Sequence, residues 1–230
     1  MGRPLTVAAL VGCLVVAGVA LTAARTPAPP PDAGVRAAEV AAGEADDSPA
    51  AAVPPLAPST APATLPATLP TTTPAAPEPV PVPVELNVPS LGVVAPVDPV
   101  GVEPNGSMTI PADGARVGWY RFGPAPGAEG SAVLAGHVDT RAGGPGALFA
   151  LQDLAPGDEL LVRRTDGTVA PFTVVGRETI TKAALPTDVI FDRAGPPRLT
   201  VVTCGGPFIE QTRSYRDNVV ITAVPAGDTG

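Results

Sequence analysis

Aromatic residues, histidine and cysteine are scarce in this sequence. Phe, Tyr and Trp make up 3% of the 230 residues, and the chain has one histidine and two cysteines. All the aromatic residues lie after residue 85, so we expect the packed core in that part of the chain. The two cysteines are Cys13, within an apolar run, and Cys204, and they do not indicate a disulfide framework. Cys204 is therefore a lone thiol that needs another explanation.

Basic residues are also few. The chain has 14 Lys and Arg against 22 Asp and Glu, which gives a net charge of −8. This balance argues against nucleic acid as a partner, because proteins that bind it present basic patches to the phosphates. A single histidine and one cysteine outside the apolar run do not complete a usual zinc set, so we predict no metal and no cofactor.

The N-terminus contains a long uncharged segment, from Leu5 to Ala24. A helix of this length would span about 30 Å, close to the hydrocarbon thickness of a bilayer. We predict that residues 1–25 form a single-pass anchor in the cell membrane and that the rest of the chain is extracytoplasmic. Two alternatives remain open: a signal peptide cleaved after Thr22-Ala23-Ala24, and a lipoprotein box at Leu10–Cys13.

A proline-rich tract follows the apolar segment. Of the 32 prolines, 17 lie between Thr26 and Pro89, in a stretch without any aromatic residue. Such a tract cannot bury enough apolar surface to fold, and its prolines favour extended geometry. We predict that residues 26–84 are a disordered linker that acts as a stalk. Residues 85–230 are then left to form one domain of ordinary size.

The pattern of that domain is mainly β. Short apolar runs alternate with turn signals such as Pro104-Asn105-Gly106, and no long segment has a helical period. Eight strands are predicted: Glu85–Val88, Gly92–Val97, Ser107–Ile110, Ser131–His137, Glu159–Arg164, Ala170–Glu178, Arg198–Thr203 and Asp217–Val224. Two short helices are predicted at Ala115–Tyr120 and Ala147–Asp153. Eight short strands at this spacing predict an all-β barrel or sandwich.

Three residues of this domain carry the chemistry of a nucleophile, a proton carrier and a cation. His137 and Cys204 each end an apolar strand and precede a glycine-rich loop, and Arg216 opens the last strand. Strand ends that enter glycine loops are where folds usually present reactive groups. A thiol attacks as the thiolate, which a nearby imidazolium or guanidinium favours, and a guanidinium can also stabilise an oxyanion.

The motifs around these residues resemble those of the sortase family. Leu199-Thr200-Val201-Val202-Thr203-Cys204, followed by Tyr215-Arg216-Asp217-Asn218, resembles the family's cysteine strand and arginine strand, and Ala135-Gly136-His137 resembles its histidine motif. His137-Val138-Asp139 and Gly205-Gly206-Pro207 are most similar to class F sortases of actinobacteria. The resemblance covers the whole domain, and it implies an eight-stranded sortase β-barrel with short helices.

The same resemblance implies a reaction and its partners. Cys204 would attack a sorting signal of Leu-Pro-x-Thr-Gly (LPXTG) type at the Thr–Gly bond and form a thioester. His137 would transfer the protons, and Arg216 would hold the substrate carbonyls. The partners would be proteins that carry such a signal and an amine acceptor on a peptidoglycan precursor.

Three further residues are candidates for binding or orienting the substrate. Arg213 is an alternative to Arg216 for the role of the cation. Asp139 could orient His137 electrostatically, and Thr203 could line the site through its hydroxyl. Two other functions remain open. An L,D-transpeptidase is disfavoured because its Ser-His-Gly-Cys run is absent, and a non-catalytic stalked β-domain would bind wall polymer or another protein.

Overall fold

The computed structural model describes residues 30–42 and 80–227, and strands are the main regular element of these residues. The strands are β1 (Ala33–Gly34), β2 (Pro83–Val88), β3 (Val93–Val100), β4 (Val117–Tyr120), β5 (Ser131–Gly136), β6 (Asp139–Thr140), β7 (Gly144–Pro145), β8 (Glu159–Arg164), β9 (Val169–Thr181), β10 (Arg198–Ile209) and β11 (Ser214–Pro225). The helices are α1 (Ala37–Ala42), α2 (Thr187–Ile190) and the 3₁₀ turns Pro89–Leu91, Leu151–Asp153 and Lys182–Ala184.

Eight of the strands close into a barrel. Their order around the barrel is β9, β11, β10, β5, β4, β3, β2 and β8, and β8 pairs with β9 to complete the ring. Closure leaves these strands without a long free edge. The prediction of a mainly β, eight-stranded barrel with few short helices is therefore confirmed.

The barrel interior is filled by the apolar side chains that alternate along its strands. Leu86, Leu134, Phe172, Leu199 and Ile221 are buried there, each from a different strand. A second, smaller cluster lies on the outer face, where α2 and its flanking residues cover β5, β10 and β11. The strands that lead to the predicted site are thus packed on both faces, which holds their ends in place.

Several predicted strands are shorter than the observed ones, above all Arg198–Thr203, which continues to Ile209 and so places Cys204 within β10. Three other predicted elements are wrong in type or largely absent. Ser107–Ile110 is not a strand and contributes only an isolated bridge between Met108 and Val102. The helix predicted at Ala115–Tyr120 is instead β4, because Val117 and Trp119 are buried between β3 and β5. Only the end of Ala147–Asp153 is helical, as a 3₁₀ turn.

Residues 30–42, which we call the strap, belong to the folded structure. The short strand β1 pairs with β9 through Ala33–Arg177 and Gly34–Gly176, next to the part of β9 that pairs with β8. A Cβ at Gly176 would lie 1.8 Å from the carbonyl oxygen of Val35, so this close approach requires glycine. After β1 the strap forms α1, which lies against α2 and buries Ala37.

Hydrogen bonds from both sides fix the strap to β9. The Arg177 guanidinium donates to the carbonyl of Pro31 (2.5 Å), and Asp32 accepts from the Thr179 amide (2.7 Å). The Ala37 amide, at the start of α1, donates to Glu178 (2.8 Å). The prediction that the linker extends without structure from residue 26 to residue 84 is therefore wrong for residues 30–42, and also for Pro83 and Val84, which begin β2.

Two other predictions concern residues outside the described ranges. Residues 26–29 and 43–79 of the proline-rich tract lie outside them, and so does the apolar run Leu5–Ala24. Among residues 30–42 and 80–227, no helix has the length and apolar character to cross a bilayer.

Candidate active site

The pairing of β5 with β10 brings the predicted nucleophile and proton carrier together. The two strands are parallel, and Val202 lies opposite Ala135. Cys204 and His137 each lie two residues farther along, so the register places them side by side at the same end of the barrel. Cys204 is a free, half-buried thiol, and His137 is likewise half-buried.

The neighbouring strand β11 brings Arg216 to the same end. Cys204 lies opposite Asn218 in the antiparallel pair, and Arg216 is two residues from Asn218, so the alternation of side chains puts Arg216 on the face of Cys204. Its guanidinium, however, donates two hydrogen bonds of 2.8 Å to the carboxylate of Asp217. The Arg216 side chain is 58% exposed, whereas that of Asp217 is 3% exposed.

The charge of Asp217 and the space around its carboxylate both favour its contact with Arg216. The hydrogen bonds from Arg216 lower the pKa of Asp217 below its ordinary value, so the carboxylate is held in its charged form. A Cβ at Gly206, which has φ +69°, would lie 2.1 Å from a carboxylate oxygen of Asp217. The Gly205-Gly206 pair, at the irregular part of β10 after Cys204, therefore leaves room for the partner of Arg216.

A cavity of about 460 Å³ opens where these strands end. Its wall includes His137, Asp139, Arg141, Cys204, Arg213 and Tyr215. The cavity thus contains the predicted nucleophile and its proton carrier, together with two guanidinium groups. Arg216 is not part of this wall, because its guanidinium is turned to Asp217.

Asp139 does not bond to the histidine that it was predicted to orient. Its carboxylate accepts a hydrogen bond from the phenol of Tyr215, across the cavity. This bond, with partial burial and the nearby charge of Asp139, raises the pKa of Tyr215 to about 12. The ring of Tyr215 also packs edge-on against Phe208, with the centroids 5.3 Å apart. The pair therefore ties the loop after His137 to the start of β11.

Thr203 is placed differently from its prediction. Its side chain is buried, and the hydroxyl donates to the carbonyl of Gly136 at 2.9 Å, so it does not line the cavity. This bond joins the residue before Cys204 to the residue before His137. Thr203 thus links β10 next to Cys204 to the end of β5 next to His137.

Arg213 lies in the turn between β10 and β11 and has a strained backbone. Its φ is +50°, and it is the non-glycine residue with positive φ in the described part of the chain. Such a conformation is uncommon outside glycine, asparagine and aspartate. Arg213 is the residue that the sequence analysis gives as the alternative to Arg216 for the role of the cation. In the structure it lines the cavity of Cys204.

Several residues of the site were missed at the level of sequence. Arg141, Phe208, Tyr215 and Asp217 belong to it or support it, yet each looks like an ordinary loop or strand residue. The signal that could have pointed to Tyr215 and Asp217 is their position on either side of Arg216. Within residues 30–42 and 80–227, no three metal-ligating side chains of His, Cys, Asp or Glu come together.

Comparison with known proteins supports these observations. The family model described as "Sortase domain" matches residues 86–226, more than half of the chain. No curated protein matches the chain. Similar solved structures include the sortase D5 transpeptidase of Clostridium perfringens, with 18% identity, coverage of 65% of this chain and 83% of that one, and a TM-score of 0.48.

Two other solved structures have a comparable similarity. Sortase C-1 of Actinomyces oris has 18% identity, covers 62% of this chain and 72% of its own, and has a TM-score of 0.47. A lid mutant of sortase A from Corynebacterium diphtheriae has 14% identity, with 64% and 70% covered and a TM-score of 0.48. With its domain matched over residues 86–226, the chain belongs to the sortase family and is a cysteine transpeptidase.

Proposed function

We propose that this sortase cleaves an LPXTG-type sorting signal between Thr and Gly and transfers the new acyl group to an amine of a cell-wall precursor. The observation that carries the proposal is the parallel register of β5 and β10, which sets His137 beside Cys204 at one cavity. A thiol and an imidazole in this arrangement support acyl transfer through a covalent intermediate.

The proposed reaction has two half-steps. In the first, the Cys204 thiolate attacks the threonine carbonyl, the carbon–nitrogen bond to glycine breaks, and protonated His137 gives its proton to the leaving amine. In the second, an incoming amine attacks the thioester, its proton passes to His137, and the thiolate leaves. Each half-step passes through an oxyanion that a guanidinium can stabilise.

Arg216 is the proposed cation of both steps. It lies on the face of Cys204, and its exposed side chain is free to turn from Asp217 toward a bound substrate. The bidentate contact with Asp217 supports a resting position from which the guanidinium is supplied to the substrate. Arg213 is a second guanidinium at the cavity of Cys204.

The finer assignments belong to the same proposal. The His137-Val138-Asp139 and Gly205-Gly206-Pro207 motifs support membership of class F. The uncharged run Leu5–Ala24 supports a single membrane anchor with the barrel on the outer side. The protein would then act on secreted proteins whose sorting signal reaches it at the cell surface.

The test uses the full chain in detergent with a panel of peptides. The peptides contain Leu-Pro-x-Thr-Gly or Leu-Ala-x-Thr-Gly, and an amine is present or absent. We expect mass spectrometry to detect a thioester on Cys204 with at least one peptide and a transfer product when the amine is added. The matched control is Cys204→Ala, which should form neither. Cleavage that persists in Cys204→Ala, or cleavage at another bond, would contradict the proposal.

A further inference from the structure

The cavity of Cys204 differs in charge from the rest of the protein. The chain has a net charge of −8, but the cavity wall contains two arginines and a single carboxylate, Asp139. The carboxylate of Asp139 already accepts a hydrogen bond from the phenol of Tyr215. The cavity is therefore cationic at the point where the reactants of the proposed reaction meet.

The guanidinium groups of these two arginines have no acceptor within the described part of the chain. Neither side chain forms a hydrogen bond or an ion pair there, and only the backbone amide of Arg213 donates, to the carbonyl of Glu210 in the same turn. By contrast, Arg116, Arg163 and Arg216 each bind a carboxylate with two hydrogen bonds. The guanidinium groups at the cavity thus keep their donors for a ligand, and a planar guanidinium suits a carboxylate.

The positions of the two arginines also fit one ligand. Arg141 belongs to the β6–β7 hairpin that follows His137, and Arg213 belongs to the turn between β10 and β11. Arg213 is held there in spite of a positive φ, and strain of this kind is found at ligand sites. The two side chains therefore reach the cavity from two different segments, one between β6 and β7 and one between β10 and β11.

The outer face beside Cys204 has a different character. Ile180, Leu185 and Val202 are partly buried apolar side chains next to α2. This surface suits the apolar Leu-Pro part of the acyl donor, whereas the cationic cavity suits the polar side of the scissile bond. The leaving amine and the incoming amine both occupy that polar side. This is because the attack of an amine on the thioester is the reverse of the step that expels an amine from the peptide.

We propose that Arg141 and Arg213 form an amine-side subsite that selects a reactant bearing a carboxylate near its amine. The proposal rests on the function proposed above and adds the chemical class of the acceptor. The carboxylate can come from the incoming amine or from the residue after the scissile glycine in the sorting signal. Both place the same anion between the two guanidinium groups.

The test compares acceptors that differ only in this charge. The full chain in detergent transfers a donor peptide to glycylglycine or to glycylglycinamide, and a second arm compares donors with Glu or Gln after the scissile glycine. We expect about a tenfold preference for the carboxylate in at least one arm, which identifies its source. The preference should fall as salt is added, because a partly exposed ion pair is screened.

The variants are Arg141→Gln, Arg213→Gln and the double substitution. Each single change should reduce the preference, and the double change should remove it. The matched control is Arg121→Gln, because Arg121 is an exposed arginine stacked on Phe122 and does not line the cavity. Its preference should stay as in the unchanged chain. A preference that survives the double substitution, or none in the unchanged chain, would overturn the proposal.

A binding measurement separates this inference from the proposed reaction. Cys204→Ala cannot form a thioester, so saturation-transfer NMR with this variant reports on glycylglycine and its amide without turnover. Carboxylate-dependent binding that needs both arginines supports the subsite even where no thioester forms, and then only the proposed reaction fails. A thioester that forms with no carboxylate preference in transfer or binding contradicts the subsite alone.

Discussion

The catalytic end of the barrel and the strap on β9 are both held by β pairing, but the pairing is long at the catalytic end and short at the strap. At the catalytic end, β5, β10 and β11 are long neighbours packed on both faces, and they present half-buried polar side chains at a cavity. The strap pairs through two residues and is otherwise held by hydrogen bonds such as Arg177–Pro31 and Thr179–Asp32.

This difference indicates that the two regions are energetically separable. The catalytic residues rest on ladders that the whole barrel supports, so they can be changed without loss of the fold. The strap depends on a few contacts at one edge, so a single change can detach it. Three predictions test this separation, and the first concerns the strap.

Gly176→Ala should detach the strap from β9. The three atoms nearest to the added Cβ all belong to Val35, so the barrel itself has room for the methyl group and the strap does not. We expect a loss of about 2 kcal/mol from the hydrogen bonds of the strap, or a decrease in Tm of about 6 °C. Calorimetry would measure the loss, and limited proteolysis would show cleavage within residues 30–42.

The control for this change is Gly101→Ala. A Cβ at Gly101 makes only ordinary contacts, the nearest at 3.5 Å from Arg121, so its Tm should change little. Equal Tm values and equal proteolysis of the two variants would show that the strap does not depend on the close approach at Gly176.

Thr203→Val should affect the catalytic end and leave the strap in place. The change removes the bond to Gly136 and leaves a buried carbonyl without its donor, at a cost of about 1 kcal/mol. We expect kcat to fall about tenfold while KM changes less, because the strand ends of His137 and Cys204 lose their link. Steady-state kinetics would measure both constants.

Thr203→Ser is the matched control, since its hydroxyl can restore the bond to Gly136. Its kcat should return to within about twofold of the unchanged value, which a loss of packing alone would not allow. A valine variant with unchanged kcat would mean that the link does not position the catalytic pair.

The smallest expected effect is a shift in the titration of Tyr215. Asp139→Asn removes the charged acceptor, so the pKa of Tyr215 should fall from about 12 toward its ordinary value near 10. Because the pKa is raised in the fold, the bond stabilises the protein below about pH 10 and this contribution is lost as the pH rises through 12. Ultraviolet absorption of tyrosinate would measure the titration.

The matched comparison is Tyr215→Phe, which removes this titration and identifies the signal. An unchanged high-pH titration in Asp139→Asn would mean that Asp139 is not the acceptor. A change in strap proteolysis in either variant would contradict the separation of the two regions.

The sequence was most informative where the signal is local. Cys204 and His137 each follow an apolar run and adjoin glycine in the sequence, so their roles could be predicted without knowing which strands pair, although β10 continues past Cys204 to Ile209. The order of the strands and the parallel register that joins them could not. Arg213 and Arg216 show the limit: a motif favours Arg216, but only the fold shows that Arg216 turns to Asp217 while Arg213 lines the cavity.

The strap shows why the remainder was missed. Residues 30–42 have the same Ala-rich and Pro-rich composition as the tract around them, and a two-residue strand has no period to detect. Its folding depends on Gly176 and Arg177, which are far along the chain. Similarly, the helical pattern at Ala115–Tyr120 gave way to a strand because burial between two neighbours outweighs local preference.

The docked strap changes how far the barrel can travel. Because residues 42 and 80 both belong to the described structure, the segment between them departs from and returns to the same body. With the anchor proposed for residues 1–25, only residues 26–29 separate the barrel from it, and they span about 14 Å at most. Such a sortase would stay within a short distance of the membrane surface. Detaching the strap would lengthen the segment that joins the barrel to the anchor from four residues to more than fifty.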